Sequence, residues 1–280
     1  MSIGGISIKD EHGFLSDEEF VRAFSGTVSR LNDLLGTAYC NVGYKHSDPL
    51  GTLILGTINL NKKRNHFLRD WEAHRIGCYA MDLDLIKEKR CNDFITFRKL
   101  HRKVKQNEFF GLRLEVNLTA NLIRKGIDFD KRESPDFEIR LSNSKGFAEC
   151  MSTNIQSKPS RKPLYYKLAS AIRSKGLKPY SNQSTVLFVD FTNVLYTAYL
   201  LKQTMNRDEL RSSIQASFNT TSFGGVMATA LIADLDNKKF ITVGEKIISQ
   251  NADPFISSFL DEFLGDGAEE DIRYCVPHSL

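Results

Sequence analysis

The segment Thr185–Thr192, TVLFVDFT, is apolar at nearly every position and rich in branched and aromatic side chains. A run of this kind reads as a central strand covered on both faces, which requires a layer of structure on each side of a sheet. Helical and strand patterns alternate around it. Phe109–Lys125 is amphipathic and stops at Gly126, with Arg124 and Lys125 placed at the negative end of the helix dipole. Ile127–Phe129 reads as a short strand. Phe137–Leu141 alternates apolar and polar residues, SNSKG supplies turn chemistry, and Phe147–Ser152 returns, so 137–152 is expected to be a hairpin. Helices are expected at Pro163–Lys175, 196–217 and 254–264, and strands at Val226–Leu235 and Phe240–Val243. The expected class is α/β, a mixed sheet flanked by helices.

The first third of the chain has a different character. Ser16 followed by Glu19 is a capping box, and Phe20, Phe24, Val28, Leu31 and Leu35 recur at helical spacing, which predicts a helix over 16–35. LGTLILGTINL, residues 50–60, is branched and broken by glycines, and predicts a strand or buried hairpin. Between Lys87 and Lys105 stand eight basic residues against two acids, Glu88 and Asp93. Phe94, Phe97, Leu100 and Val104 recur among them near helical spacing, so one face can be buried while the other carries charge. That charged face is either a solvated helix surface or a phosphate-binding one, with Arg98, Lys99, Arg102, Lys103 and Lys105 as the contacts. The composition changes near 108. Residues 1–107 are expected to form a mainly helical, basic extension and 108–280 an α/β core.

No apolar run approaches the roughly 20 residues of a membrane helix, and the N-terminus has neither a basic start nor a long apolar stretch. The five cysteines are scattered without a CxxC pair, which points to free thiols in a reducing compartment, with the cytoplasm as the default. The formal net charge of +4 says little, because the position of the charge matters more. The sequence carries no phosphate-binding glycine loop, no GxSxG elbow and no histidine pair with metal spacing.

The stretch 115–151 is the candidate for chemistry. Glu115 lies within a predicted helix, Asp136 opens a predicted strand, and Glu149 stands 13 residues later on the returning strand. A hairpin can set two such carboxylates side by side, and the helix can bring the third to the same edge. Converging carboxylates suit a hard cation such as Mg²⁺, which keeps several waters and meets phosphate. Bound metal of this kind lowers the pKa of its water and stabilises phosphoryl displacement.

The helix glutamate, Leu122-Ile123-Arg124-Lys125-Gly126, Ser134-Pro135-Asp136-Phe137 and Phe147-Ala148-Glu149-Cys150 together resemble the PD-(D/E)XK nuclease superfamily. The order helix, strand, hairpin, helix, strand over 108–195 is similar to that superfamily's core, and the likeness extends loosely to 245. The resemblance implies a mixed sheet of the PD-(D/E)XK type and Mg²⁺- or Mn²⁺-dependent hydrolysis of nucleic acid, with DNA the expected substrate. It implies Asp136 and Glu149 as metal ligands and Glu115 as a third, direct or through water. The superfamily's lysine falls at Met151, a departure from the pattern. Lys158, Lys162 and Lys167 are the downstream replacements, Lys167 first among them, and Lys145 in the hairpin turn is a weaker one. The rival reading is a catalytically inactive nuclease-fold subunit that binds nucleic acid or partner proteins. A second rival is a protein-interaction module built from the basic helix and the acidic segment 261–271. A homo-oligomer or a partner protein stays open, and no membrane is expected.

Overall fold

The computed structural model describes residues 14–41, 48–106, 108–142, 144–153, 165–200, 207–234, 239–264 and 274–275. The chain divides into two compact units, one mainly helical, running to Ala120 and also taking in Lys239 and Phe240, the other beginning at Asn121 and containing the rest of the sheet.

In the helical unit, α1 (Asp17–Leu35) begins at the capping box: the Glu19 N–H donates to Ser16 Oγ at 3.2 Å and the Ser16 N–H returns to the Glu19 carboxylate at 2.9 Å. It ends at Gly36, which adopts φ +67°. A side chain there is strained by the left-handed backbone and runs into the Arg98 guanidinium. Arg98 Nε and Arg102 donate to the carbonyl of Leu35, at 3.2 and 3.5 Å, and so satisfy the end of α1.

The segment read as a strand or buried hairpin is a helix, α2 (Pro49–Lys62). Asp48 accepts the Gly51 N–H at 2.9 Å and Pro49 occupies the first turn, where its missing donor costs nothing. Leu50, Ile54 and Thr57 are buried at spacings of four and three, a helical stripe that the branched residues and glycines disguised. Helices α3 (His66–Lys89), α4 (Cys91–His101) and α5 (Phe109–Lys125) follow. The composition change at 108 marks the start of α5, and the division between the units falls inside that helix.

Polar groups are built into this unit and paired there. Arg69 is fully buried, donates to Asp17, Asp70, Asn61 and the Leu15 carbonyl, and lies 4.5 Å from the Phe20 ring. His101 is buried between two phenols, with Nε2 3.1 Å from the Tyr39 hydroxyl and Nδ1 3.2 Å from that of Tyr79. The Tyr39 hydroxyl donates onward to Asp48 at 2.9 Å, so the chain of bonds fits a neutral imidazole that donates from Nε2 and accepts at Nδ1.

The second unit opens with β1 (Asp128–Lys131), β2 (Phe137–Leu141) and β3 (Ser144–Ser152), a three-stranded antiparallel meander. Next come α6 (Tyr165–Gly176), β4 (Thr185–Asp190), α7 (Thr192–Leu200), α8 (Arg207–Phe218), β5 (Gly225–Asp234), β6 (Lys239–Ile248), α9 (Pro254–Leu264) and β7 (Tyr274–Cys275). The sheet runs in sequence order from β1 to β6, with β7 paired to β5. Strands β3, β4 and β5 are parallel, so each crossover needs a helix, supplied by α6 and then by α7 and α8. Every residue of β4 is buried, as its composition demands. One face of the sheet carries Met151, Leu187, Val189, Val226 and Ala228 against Leu168 and Ile172 of α6 and Leu210, Ile214 and Phe218 of α8. On the other, Phe188 packs on Phe259 and Phe263 of α9 at ring separations of 6.1 and 5.3 Å. The architecture is therefore mixed α/β with helices flanking the sheet.

Three boundaries differ from expectation. In place of the single helix expected over 196–217 stand α7 and α8, and α7 starts earlier than expected, directly after β4, where the Asp190 carboxylate accepts the Thr192 N–H at 2.9 Å. Strand β6 continues past Val243 to Ile248, and β7 was not anticipated. The acidic residues Asp266, Glu269, Glu270 and Asp271 lie outside the described residues. Among the described residues, no helix is long and apolar enough to cross a membrane.

The buried imidazole makes the helical unit acid-sensitive. Burial lowers the His101 pKa from its ordinary 6.5, opposed by the Asp48 charge and reinforced by Arg102. The unfolded chain therefore binds the extra proton first, and stability falls as the pH drops below about 6.5. Trp71, the single tryptophan, is fully buried in this unit and reports its unfolding. Between pH 7.5 and 5 the wild type is expected to lose more stability in urea than His101→Gln. Equal losses would show that His101 is not the group responsible.

Candidate active site

The register of the hairpin sets the geometry. Phe137 pairs with Ala148, so the next step outward places Asp136 opposite Glu149. In an antiparallel pair, directly opposed residues point to the same face of the sheet. Here the backbone joins them reciprocally: the Asp136 N–H donates to Glu149 Oε2 at 3.3 Å, and the Cys150 N–H donates to Asp136 Oδ2 at 2.7 Å. Glu149 is 4% exposed and Asp136 half-buried.

Two lysines flank the pair. Lys175, in the last turn of α6, forms an ion pair and hydrogen bond with Glu149 Oε1. The Tyr180 hydroxyl donates to the same oxygen at 2.8 Å. On the other side, Lys131 Nζ lies 3.6 Å from Asp136 Oδ1 and donates to the carbonyls of Arg132 and Asp136 at 3.0 and 3.3 Å. Burial pulls the Lys175 ammonium towards neutrality, but the hydrogen bond and charge of Glu149, with the fields of Tyr180 and Asp136, outweigh it and raise the pKa. Burial, and then the bond to Glu149, push the Tyr180 phenol up to about 12.

Position 151, where the resemblance asks for a lysine, lies on the same face of β3 as Glu149 but inside the apolar cluster. Met151 is 5% exposed and packs with Leu168, Ile172, Leu187 and Val189. An ammonium there would have to be buried among these apolar side chains, at considerable cost. The border between apolar core and polar site thus falls between residues 149 and 151.

Lys167, the first choice from sequence, sits at the start of α6, and among the described residues it makes no hydrogen bond or ion pair with either carboxylate. The ammonium comes from Lys175 instead. A crossover helix runs back along the sheet at about 1.5 Å per residue, against about 3.3 Å for the strand, so a residue near the helix end is level with the middle of β3. Leu168, Ile172 and Lys175 also share one stripe at spacings of four and three, and the first two face the sheet. That periodicity was readable in the sequence. Tyr180, in the loop before β4, carried no comparable signal. Lys145 is exposed in β3, and Lys158 and Lys162 lie outside the described residues.

Glu115 is on α5, in the part belonging to the helical unit, partly exposed, with its carbonyl accepting the Thr119 hydroxyl at 2.8 Å. Of the five basic residues proposed for phosphate, Lys99, Lys103 and Lys105 are exposed, whereas Arg98 and Arg102 reach the Leu35 carbonyl. Among the described residues, no three His, Cys, Asp or Glu side chains are grouped to hold a metal ion. The pair still fits Mg²⁺, which is commonly held by one or two carboxylates and completed by water and phosphate. Asp136, the more open of the two, has Oδ1 at the edge of the cluster.

No family model, curated protein or solved structure matches this chain.

The contact geometry predicts energetic coupling. A double-mutant cycle of Glu149→Gln with Lys175→Met, read by urea unfolding, is expected to give about 1–2 kcal/mol. The same cycle with Lys167→Met is expected to give less than about 0.5 kcal/mol. Equal couplings would dissolve the distinction between the two lysines.

Proposed function

We propose that the chain is a metal-dependent nuclease that hydrolyses phosphodiester bonds of nucleic acid, with DNA the favoured substrate. The observation carrying this reading is the carboxylate pair Asp136–Glu149, opposed across a hairpin and faced by the Lys175 ammonium. It is also the reading to which the PD-(D/E)XK resemblance leads, with the order α5, β1, β2–β3, α6, β4 in support.

Asp136 and Glu149 would hold Mg²⁺ or Mn²⁺, which when bound activates water and neutralises charge on the phosphate. The remaining work falls to the chain. Lys175 takes the part of the lysine missing at 151: it places positive charge beside the carboxylates, where it screens the phosphate and favours the hydroxide form of nearby water. Lys131 adds a second cation against Asp136. In hydrolysis the attacking water gives up a proton to solvent, its oxygen bonds to phosphorus, one ester P–O bond breaks, and the departing oxygen takes a proton from solvent. Lys99, Lys103 and Lys105 supply sequence-independent contacts to the backbone. A cytoplasmic location belongs to the same reading.

One observation favours a second reading, an inactive nuclease-fold subunit that binds nucleic acid or partner proteins. Both Glu149 oxygens already accept hydrogen bonds from the protein, and position 151 is methionine. Incubating the full chain with plasmid and single-stranded DNA, in Mg²⁺, Mn²⁺ or EDTA, separates the two. The nuclease reading expects EDTA-sensitive cleavage, reduced about 100-fold or more in Asp136→Asn, Glu149→Gln and Lys175→Met. Cleavage that survives in Glu149→Gln, or never occurs with any divalent metal, rejects it. Binding is tested apart: Lys99→Gln with Lys103→Gln is expected to weaken affinity for all sequences alike and flatten the salt slope by about two units.

A further inference from the structure

Asp136 and Glu149 are balanced by Lys131 and Lys175, two acids against two bases. The two ammonium groups are held differently. Lys131 donates to two backbone carbonyls and lies 4.9 Å from the Phe137 ring, so its position is fixed by the meander. Lys175 makes its polar contact with Glu149, keeps 29% of its side chain exposed, and lies 5.9 Å from the Tyr180 ring. It reaches the pair from a helix end on a flexible four-carbon stem, whereas a lysine at 151 would be fixed by the strand. If Lys175 withdraws, Tyr180 still donates to Oε1 and the Asp136 N–H to Oε2, so Glu149 keeps its orientation.

We propose that Lys175 is an exchangeable internal counter-cation, which occupies Glu149 Oε1 in the metal-free protein and leaves it for the substrate phosphate when a divalent cation enters. This rests on the nuclease reading and adds a regulatory property to the same site. One residue then has two roles of opposite sign. As a competing charge within a few ångströms of the site, it weakens metal binding. As a freed ammonium, it assists the reaction.

The experiment measures Mn²⁺ binding to the full-length protein by electron paramagnetic resonance and calorimetry, without nucleic acid, for the wild type, Lys175→Met, Lys175→Gln and Glu149→Gln. Removing one adjacent positive charge is expected to tighten Mn²⁺ binding about tenfold in both Lys175 variants. Glu149→Gln is expected to lose binding, and cleavage is expected to fall in all three. Mn²⁺ bound by the Lys175 variants but not by the wild type overturns the exchange, because the lysine then closes the site and does not yield to the cation. If the Lys175 variants bind Mn²⁺ no more tightly than the wild type, the exchange is overturned while the nuclease reading stands. If none of the proteins binds Mn²⁺, both fall together. Near-ultraviolet circular dichroism checks that each variant is folded, and agreement between Met and Gln excludes a packing defect peculiar to one of them.

Discussion

The pairing of Phe137 with Ala148 is the constraint on which the sheet unit's site depends. It is an ordinary step in an antiparallel ladder, but it fixes which residues oppose each other one position further out. A slip of one residue would send Asp136 and Glu149 to opposite faces. Both faces of β3 oppose it: Met151 packs in the α6–α8 cluster beside Glu149 while Ala148 and Cys150 are buried on the other face, so a slip would carry the Glu149 carboxylate into apolar surroundings. Hydrophobic burial therefore pins the register, and the register brings the carboxylates together. The hydrogen bonds from the Asp136 N–H to Glu149 and from the Cys150 N–H to Asp136 then hold both carboxylates in place.

The surrounding charges follow from that arrangement. Two carboxylates this close are tolerable at neutral pH only if something offsets them. Lys131 does so from the neighbouring strand and Lys175 from the crossover helix. The sheet's neighbour on this side is the apolar cluster of α6 and α8, so polar and apolar chemistry share one face within a few residues. The proposed nuclease activity and the proposed exchange of Lys175 are both readings of this compact group.

Much of the sheet unit was legible because its signals are local and strong. The uniform apolarity of β4, the alternation in β2 and the turn between β2 and β3 identify their elements directly, and Asp136 and Glu149 follow from the hairpin. The residues that were misjudged depend on relations over longer distances. Lys167 stands closer to Glu149 along the chain than Lys175 does, but closeness along the chain is not closeness in space. The different rises of helix and strand reverse that order. The α2 segment was misjudged for another reason: its glycines and branched residues argue locally for a strand, while Asp48 and Pro49 outside the run decide for a helix. The basic segment was legible as a charged face. That two of its arginines close the end of α1 could not be read, because it depends on the packing of helices far apart in the chain.

Gly176 closes α6 immediately after Lys175, against the turn that follows α8. A side chain added there would lie 2.8 Å from Thr221 Cβ, closer than packed atoms allow. The donors Lys175 and Tyr180 stand one and four residues from this contact, so the short span between them takes its position from an apolar abutment outside the carboxylate cluster. Substitutions at Thr221, a residue with no polar contact to the site, would therefore act as spacers that lengthen or shorten the reach of both donors at once. A change at such a position would move the two donors that meet Glu149 without altering any residue that touches it.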